Sequence, residues 1–148
     1  MKSVAIITSA IILAISLMAC SSAAPTPIPV VELSLTATDI AYDKNALEVM
    51  AGQPVKLTLH NEGALEHDFS IMEMPHTGDI VVHDMEAEMA GHDMGEMEME
   101  PEIHMVAPVG GSNYIEFTPS TPGEYMFICT TVGHEEAGMV GTLVVKAP

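Results

Sequence analysis

From residue 31 onward the apolar residues of this chain recur at every second position in short runs, and turn residues separate the runs. Val31, Leu33 and Leu35 alternate with polar neighbours, as do Leu47 with Val49, and Val55 with Leu57 and Leu59. A period of two lines one face of an extended strand, whereas a helix needs apolar residues three and four apart. The stretches 51–54 (AGQP) and 61–63 (NEG) supply turns. Phe69 and Ile71 mark a further strand, followed later by 114–117, a turn at 121–123, 125–128 and a closing run at 141–145. No segment carries a long apolar period of 3.6. Short strands at spacings of about 8–12 residues predict an all-β fold, a small sandwich or barrel.

The first residues are of another kind. Residues 1–20 read MKSVAIITSAIILAISLMAC: one early Lys2, an uncharged run from Val4 to Ala19, then Leu17-Met18-Ala19-Cys20. A basic start, an apolar run and small residues before a cut site make an export signal, and a span of the bilayer needs about 20 apolar residues. The last four residues resemble a bacterial lipobox, which places a lipid on Cys20 and cleaves before it. The competing readings are an ordinary secretory signal and an N-terminal anchor. We expect residues 1–19 to be a lipoprotein signal peptide and the Pro/Ala/Ser-rich residues 20–30 an extended tether. The protein is then extracytoplasmic, in the periplasm or at the cell surface, and lipid-anchored to the membrane.

Removal of residues 1–19 leaves a length suited to one domain with a single core. Two cysteines remain, Cys20 and Cys129, and lipid on the first excludes a disulfide framework. The 21 acidic residues then face three lysines and no arginine, a net charge of −18. So acidic a chain repels nucleic acid and attracts cations or basic proteins.

Residues 72–105 break the alternation. They hold eight methionines, four histidines and ten acidic residues, with no basic residue and no aromatic. His83-Asp84-Met85 recurs as His92-Asp93-Met94, and Met72 with Met74, and Met97 with Met99, form Met-x-Met pairs. This composition predicts a mobile Met/His-rich low-complexity insert within a domain spanning 31–148, too poor in bulky apolar side chains to build its own core. The plain alternative is a solvated acidic loop. The sharper one is accessory copper binding by His83, Met85, His92, Met94, Met97 and Met99, since thioethers favour Cu(I) and imidazole suits copper.

Near the end, CTTVGHEEAGMVG spaces Cys129, His134 and Met139 five apart. A thiolate binds soft metals strongly, imidazole suits copper and zinc, and a thioether adds a weak ligand that favours copper. Cys129 ends a strand, and His134 and Met139 follow on one loop, so the three can converge. A second imidazole must come from elsewhere. His60 and His67 are the candidates: His60 falls out of phase with the core-facing Val55, Leu57 and Leu59, and His67 opens the strand that carries Phe69 and Ile71. We expect His67.

VKLTLHNEGALEHDF around the first histidine and PGEYMFICTTVGHEEAGMVGTLVV at the end resemble the cupredoxins, the small blue copper proteins, and the Cys-x4-His-x4-Met spacing is most like the auracyanins. The resemblance covers residues 31–148 apart from 72–105. It implies a Greek-key β-sandwich with one type 1 copper per chain at one end, His67, Cys129 and His134 as equatorial ligands and Met139 as the weak axial ligand. Two positions depart from the family pattern. Val132 stands where many members have proline, which loosens the loop, and Asp68 stands where asparagine or serine is common. Asp68 is placed to accept hydrogen bonds from Thr130, tying the two ligand strands together; buried and ionised, it would lower the reduction potential.

With all four positions filled by protein, no open position remains for a substrate. The expectation is an electron carrier rather than an enzyme, shuttling single electrons between redox partners. Its exit is the edge of His134, ringed by Ala64, Leu65, Val132 and Met139. Glu135 and Glu136 would steer basic partners such as a c-type cytochrome toward a monomer. The alternative is a copper-binding and delivery protein that uses the insert. A multicopper enzyme ranks last, because no second histidine cluster stands outside the insert.

Overall fold

The structure, a computed structural model, describes residues 27–84 and 100–148. Among them are ten strands and no helix: β1 (Val31–Thr38), β2 (Ala41–Tyr42), β3 (Ala46–Met50), β4 (Val55–Asn61), β5 (His67–Ile71), β6 (Val81–Asp84), β7 (Ile103–Ala107), β8 (Ser112–Phe117), β9 (Gly123–Ile128) and β10 (Val140–Lys146). They form two five-stranded sheets in the orders β2-β1-β4-β8-β6 and β3-β10-β9-β5-β7. The chain passes repeatedly from one sheet to the other, and two pairs, β1 with β4 and β10 with β3, run parallel. This is the Greek-key sandwich of a cupredoxin-like fold.

The alternation decides which face is inside. In β4 every odd residue from Val55 to Asn61 is buried and the even ones are half-buried, and β8 and β10 repeat the pattern. Leu35, Leu57, Leu59 and Ile115 from one sheet meet Phe69, Ile71, Phe127 and Leu143 from the other, all close to fully buried. Each such side chain contributes about 1.5–3 kcal/mol by leaving water. Phe127 is the hub: its ring lies 5.1 Å from that of Phe69 and 5.3 Å, edge-on, from that of Tyr42. Gly141 on β10 gives it room, since a Cβ there would stand 2.1 Å from Phe127 Cζ.

The expectation of one insert over 72–105 needs correction at both ends. Met74 is fully buried in the core, and its N–H is held by Glu102 Oε2 at 2.7 Å. The segment after it is laced to the loop following β8, with Ser120 N–H donating to the Pro75 carbonyl and Thr77 N–H to that of Thr118. β6 then adds an edge strand to β8, and Ile103, Met105 and Ala107 of β7 are core residues paired with β5. Ile103-His104-Met105-Val106-Ala107 does alternate, but the surrounding acids and methionines hide it in the composition. The central part of the stretch, 85–99, lies outside the described residues, as do residues 1–26. No helix of the described residues is long and apolar enough to cross a membrane.

Candidate metal centre

Two adjacent strands and one loop bring three ligand-bearing side chains together. β5 begins at His67, and Cys129 follows the last residue of β9 on the neighbouring strand. The loop from 129 to 139 then folds back on itself. Cys129 N–H donates to the Met139 carbonyl, Met139 N–H to that of His134, and His134 N–H to that of Thr131. Gly133 and Gly138 take φ of 84° and 96°, values that a side chain disfavours, and their placement lets so short a loop turn twice. Val132, in the place of the expected proline, is 97% exposed.

The Cys129 sulfur lies 3.8 Å from His67 Nδ1 and 3.5 Å from His134 Nδ1, and the three ligand atoms lie within 4.8 Å of one another. A metal about 2.3 Å from sulfur and about 2.0 Å from each nitrogen, at angles near 120°, sets sulfur and nitrogen about 3.7 Å apart. The donors are therefore already at coordination spacing. His67, Cys129 and Met139 have no exposed surface and His134 only 5%. Burial pushes the Cys129 thiol up, and burial together with the His134 ring pushes His67 down. Without a metal the site holds a thiol and an unprotonated imidazole, whose lone pair is free to bind. His67 Nε2 is buried with no partner among the described residues, closed in by Gly63.

Around these lies a frame of hydrogen bonds. Asp68 is buried, and its carboxylate accepts from Thr130 N–H at 2.9 and 3.0 Å, from the Thr130 hydroxyl at 3.0 Å and from the Ser70 hydroxyl at 2.7 Å, with the Cys129 thiol 3.5 Å away. The backbone carbonyl of Asp68 takes the Tyr42 hydroxyl. Asn61 shapes the turn before His67: its amide donates to the Leu65 and Ala107 carbonyls, and its oxygen accepts from Gly63 N–H. Asp68 and Thr130 are legible in the sequence, and Asn61 and Gly63 are legible as a turn; Tyr42 and Ser70 are not, because nothing local marks them.

Other candidates fall elsewhere. His60 turns off the core face, as its phase predicts, and bonds Ser112. His83 stacks on Tyr114 with ring centroids 4.3 Å apart and faces Glu116 at 3.7 Å, away from the centre. Met85, His92, Met94, Met97 and Met99, like Cys20, lie outside the described residues. Met139 is wholly buried and so cannot belong to the expected surface ring, whereas Ala64, Leu65 and Val132 are exposed.

Residues 29–146 match the copper binding proteins of the plastocyanin/azurin family. The chain is a cupredoxin. Copper is its cofactor, one type 1 ion per chain. The cupredoxin is 30% identical over 131 residues to the "Copper-resistant cuproprotein CopI" of Pseudomonas aeruginosa, covering 73% of this chain and 72% of that one. It is 32% identical over 105 residues to the protein of the same name from Rubrivivax gelatinosus, covering 71% of this chain and 59% of that one. Auracyanin A, a blue copper protein from Chloroflexus aurantiacus, superposes with a TM-score of 0.57 at 23% identity, over 80% of this chain and all of the other.

Proposed function

We propose that this cupredoxin is an exported single-electron carrier whose copper would be held by His67, Cys129 and His134, with Met139 supplying a weak fourth donor. The observation that carries the reading is the spacing of the three donor atoms at 3.5 and 3.8 Å around a buried sulfur. Bound copper supplies a change between Cu(I) and Cu(II). The protein's part is to keep the donors still while that happens. Loop 129–139 is closed by its own backbone bonds, and Asp68 fastens it to β5, so little rearrangement accompanies the change of charge. A buried centre with four protein donors has no place for a substrate, which favours a carrier over an enzyme.

His134 is the ligand nearest the surface, and Leu65 and Val132, 55% and 97% exposed, make an apolar contact ring beside it. Glu135 and Glu136 are exposed on the same loop. With the strongly acidic chain they favour a brief, salt-sensitive encounter with a basic redox protein such as a c-type cytochrome. Export and a lipid on Cys20 rest on residues 1–20 alone. In the test, copper-loaded, reduced protein is mixed with a basic c-type cytochrome and with an acidic one. Faster oxidation by the basic protein, with a rate that falls steeply with salt, is expected. Equal rates, insensitive to salt, would remove the steering.

A second reading has its own observation: both curated relatives carry the name copper-resistant cuproprotein. In that case electron transfer or copper capture serves tolerance to the metal, and the Met/His-rich stretch takes part. Replacing residues 85–99 with a short Gly-Ser linker separates the two. A carrier keeps its electron-transfer rate, whereas a copper-handling protein loses its effect on growth in copper.

A further inference from the structure

His104 belongs to no group considered so far. It stands on β7, the edge strand, directly opposite Ser70 of β5. Its Nδ1 lies 2.8 Å from Ser70 Oγ, and Ser70 Oγ lies 2.7 Å from Asp68 Oδ1. Asp68 in turn holds Thr130 and faces the Cys129 sulfur. A continuous chain of polar contacts thus runs from the edge of the sheet to the ligand sulfur. Ser70 is completely buried, so water does not compete for its hydroxyl.

Proton counting sets the direction of this chain. A serine hydroxyl has one proton to give, and a carboxylate only accepts. At 2.7 Å the serine and Asp68 must share a proton, so the hydroxyl points at Asp68. The remaining contact then requires His104 Nδ1 to be the donor, carrying the hydrogen that free imidazole prefers to keep on Nε2. The other nitrogen agrees: His104 Nε2 is buried and has no partner among the described residues. A lone pair left without a donor is more tolerable there than an N–H left without an acceptor.

We infer that His104 is a positioning residue for the copper centre: held as the Nδ1–H tautomer, it donates to the Ser70 oxygen, strengthens that hydroxyl's bond to Asp68 and so limits the negative charge that Asp68 presents to the Cys129 sulfur. The inference rests on the ligand assignment proposed above only for its effect on copper. Each donor on the carboxylate spreads its charge. A less compensated carboxylate beside the thiolate favours the more positive Cu(II), which lowers the reduction potential. Without His104 the Ser70 oxygen loses the N–H that polarises its hydroxyl, and its bond to Asp68 weakens.

The test uses the full chain with His104→Phe, His104→Asn and Ser70→Ala. In the metal-free wild type, nitrogen NMR is expected to show His104 protonated at Nδ1 and bare at Nε2. Protonation at Nε2 instead would overturn the inference, whatever the copper site does and however the variants fold. In the copper-loaded protein, Ser70→Ala is expected to lower the potential. His104→Phe should lower it by a smaller amount, and the double variant no further than Ser70→Ala alone. His104→Asn, which offers an N–H close to the place of Nδ1, should restore most of the wild-type value. A wild-type potential and thiolate–copper band in His104→Phe would overturn the positioning role. Failure of the wild type to develop a thiolate–copper band would count against the ligand assignment and leave the tautomer result standing.

Discussion

Gly63→Ala tests how tightly the first histidine is held. A Cβ built on Gly63 stands 2.6 Å from His67 Nε2, 3.2 Å from His67 Cδ2 and 3.1 Å from the backbone carbonyl carbon of Thr38. An ordinary contact needs about 3.5 Å, so roughly 0.9 Å must be found between the methyl and the ring. The methyl cannot retreat, because Thr38 is backbone in a strand. The ring must move instead, and its Nδ1 is the atom 3.8 Å from Cys129. Overpacking of this kind costs about 1–3 kcal/mol. A ligand site must hold its groups to about 0.5 Å, so most of that strain should appear in copper affinity. A loss of about 2 kcal/mol is about a 30-fold weaker Kd at 1.4 kcal/mol per decade. Competition titration of the metal-free variant against a copper chelator reads the affinity directly, and thermal unfolding reads the fold. We expect weaker copper binding and a shifted thiolate–copper band in a protein that still folds. Wild-type affinity with an unshifted band would show that His67 is not held by this contact.

Asp68→Ala leaves the Thr130 amide and the Ser70 hydroxyl without their acceptor; at about 1–3 kcal/mol for each buried orphan, the metal-free protein should lose about 3 kcal/mol, seen as a Tm lower by about 10 °C. Asp68→Asn, keeping one acceptor oxygen, should lose less. The metal-free protein should be most stable between the ordinary values of the two shifted groups, 6.5 for histidine and 9.0 for cysteine. His67 is pushed down, so the unfolded chain binds more protons below 6.5 and stability falls as pH drops toward the folded value. Cys129 is pushed up, so stability falls as pH rises above 9.0. Denaturant midpoints across pH check both limbs, and Cys129→Ser should flatten the alkaline one. Replacing residues 85–99 by a linker should leave the fold and the copper colour intact, whereas deleting 75–105 removes β6 and the first three residues of β7, including the buried Ile103 and Met105, and should yield no folded protein by circular dichroism.

The parts of this molecule that could be read from its sequence are those in which one strong local rule acts alone. Leu57 and Leu59 alternate with nothing to mask them, and the same phase turns His60 off the core face. Cys129, His134 and Met139 are readable because their side-chain chemistry is rare and their loop is continuous. β7 was concealed for the opposite reason. Ile103 and Met105 obey the same alternation, but they follow a run of acids and methionines whose composition suggests no structure at all. Met74 shows the ambiguity of a thioether, which serves equally as a copper ligand and as a core side chain; burial against the sandwich decides for the core. Tyr42, Gly63, Ser70 and His104 act across strands, between residues 26 to 34 apart in sequence or across a turn. Their roles come from register, which no local pattern displays.

The proposed redox role depends on Cys129, His67 and His134 binding one copper through a short thiolate bond. Titrating the metal-free protein with Cu(II) while recording its visible spectrum tests it most directly. An intense thiolate–copper band is expected that saturates at one equivalent and is absent in Cys129→Ser, with any further copper binding without added colour. A colourless complex, or a band that survives Cys129→Ser, would contradict it.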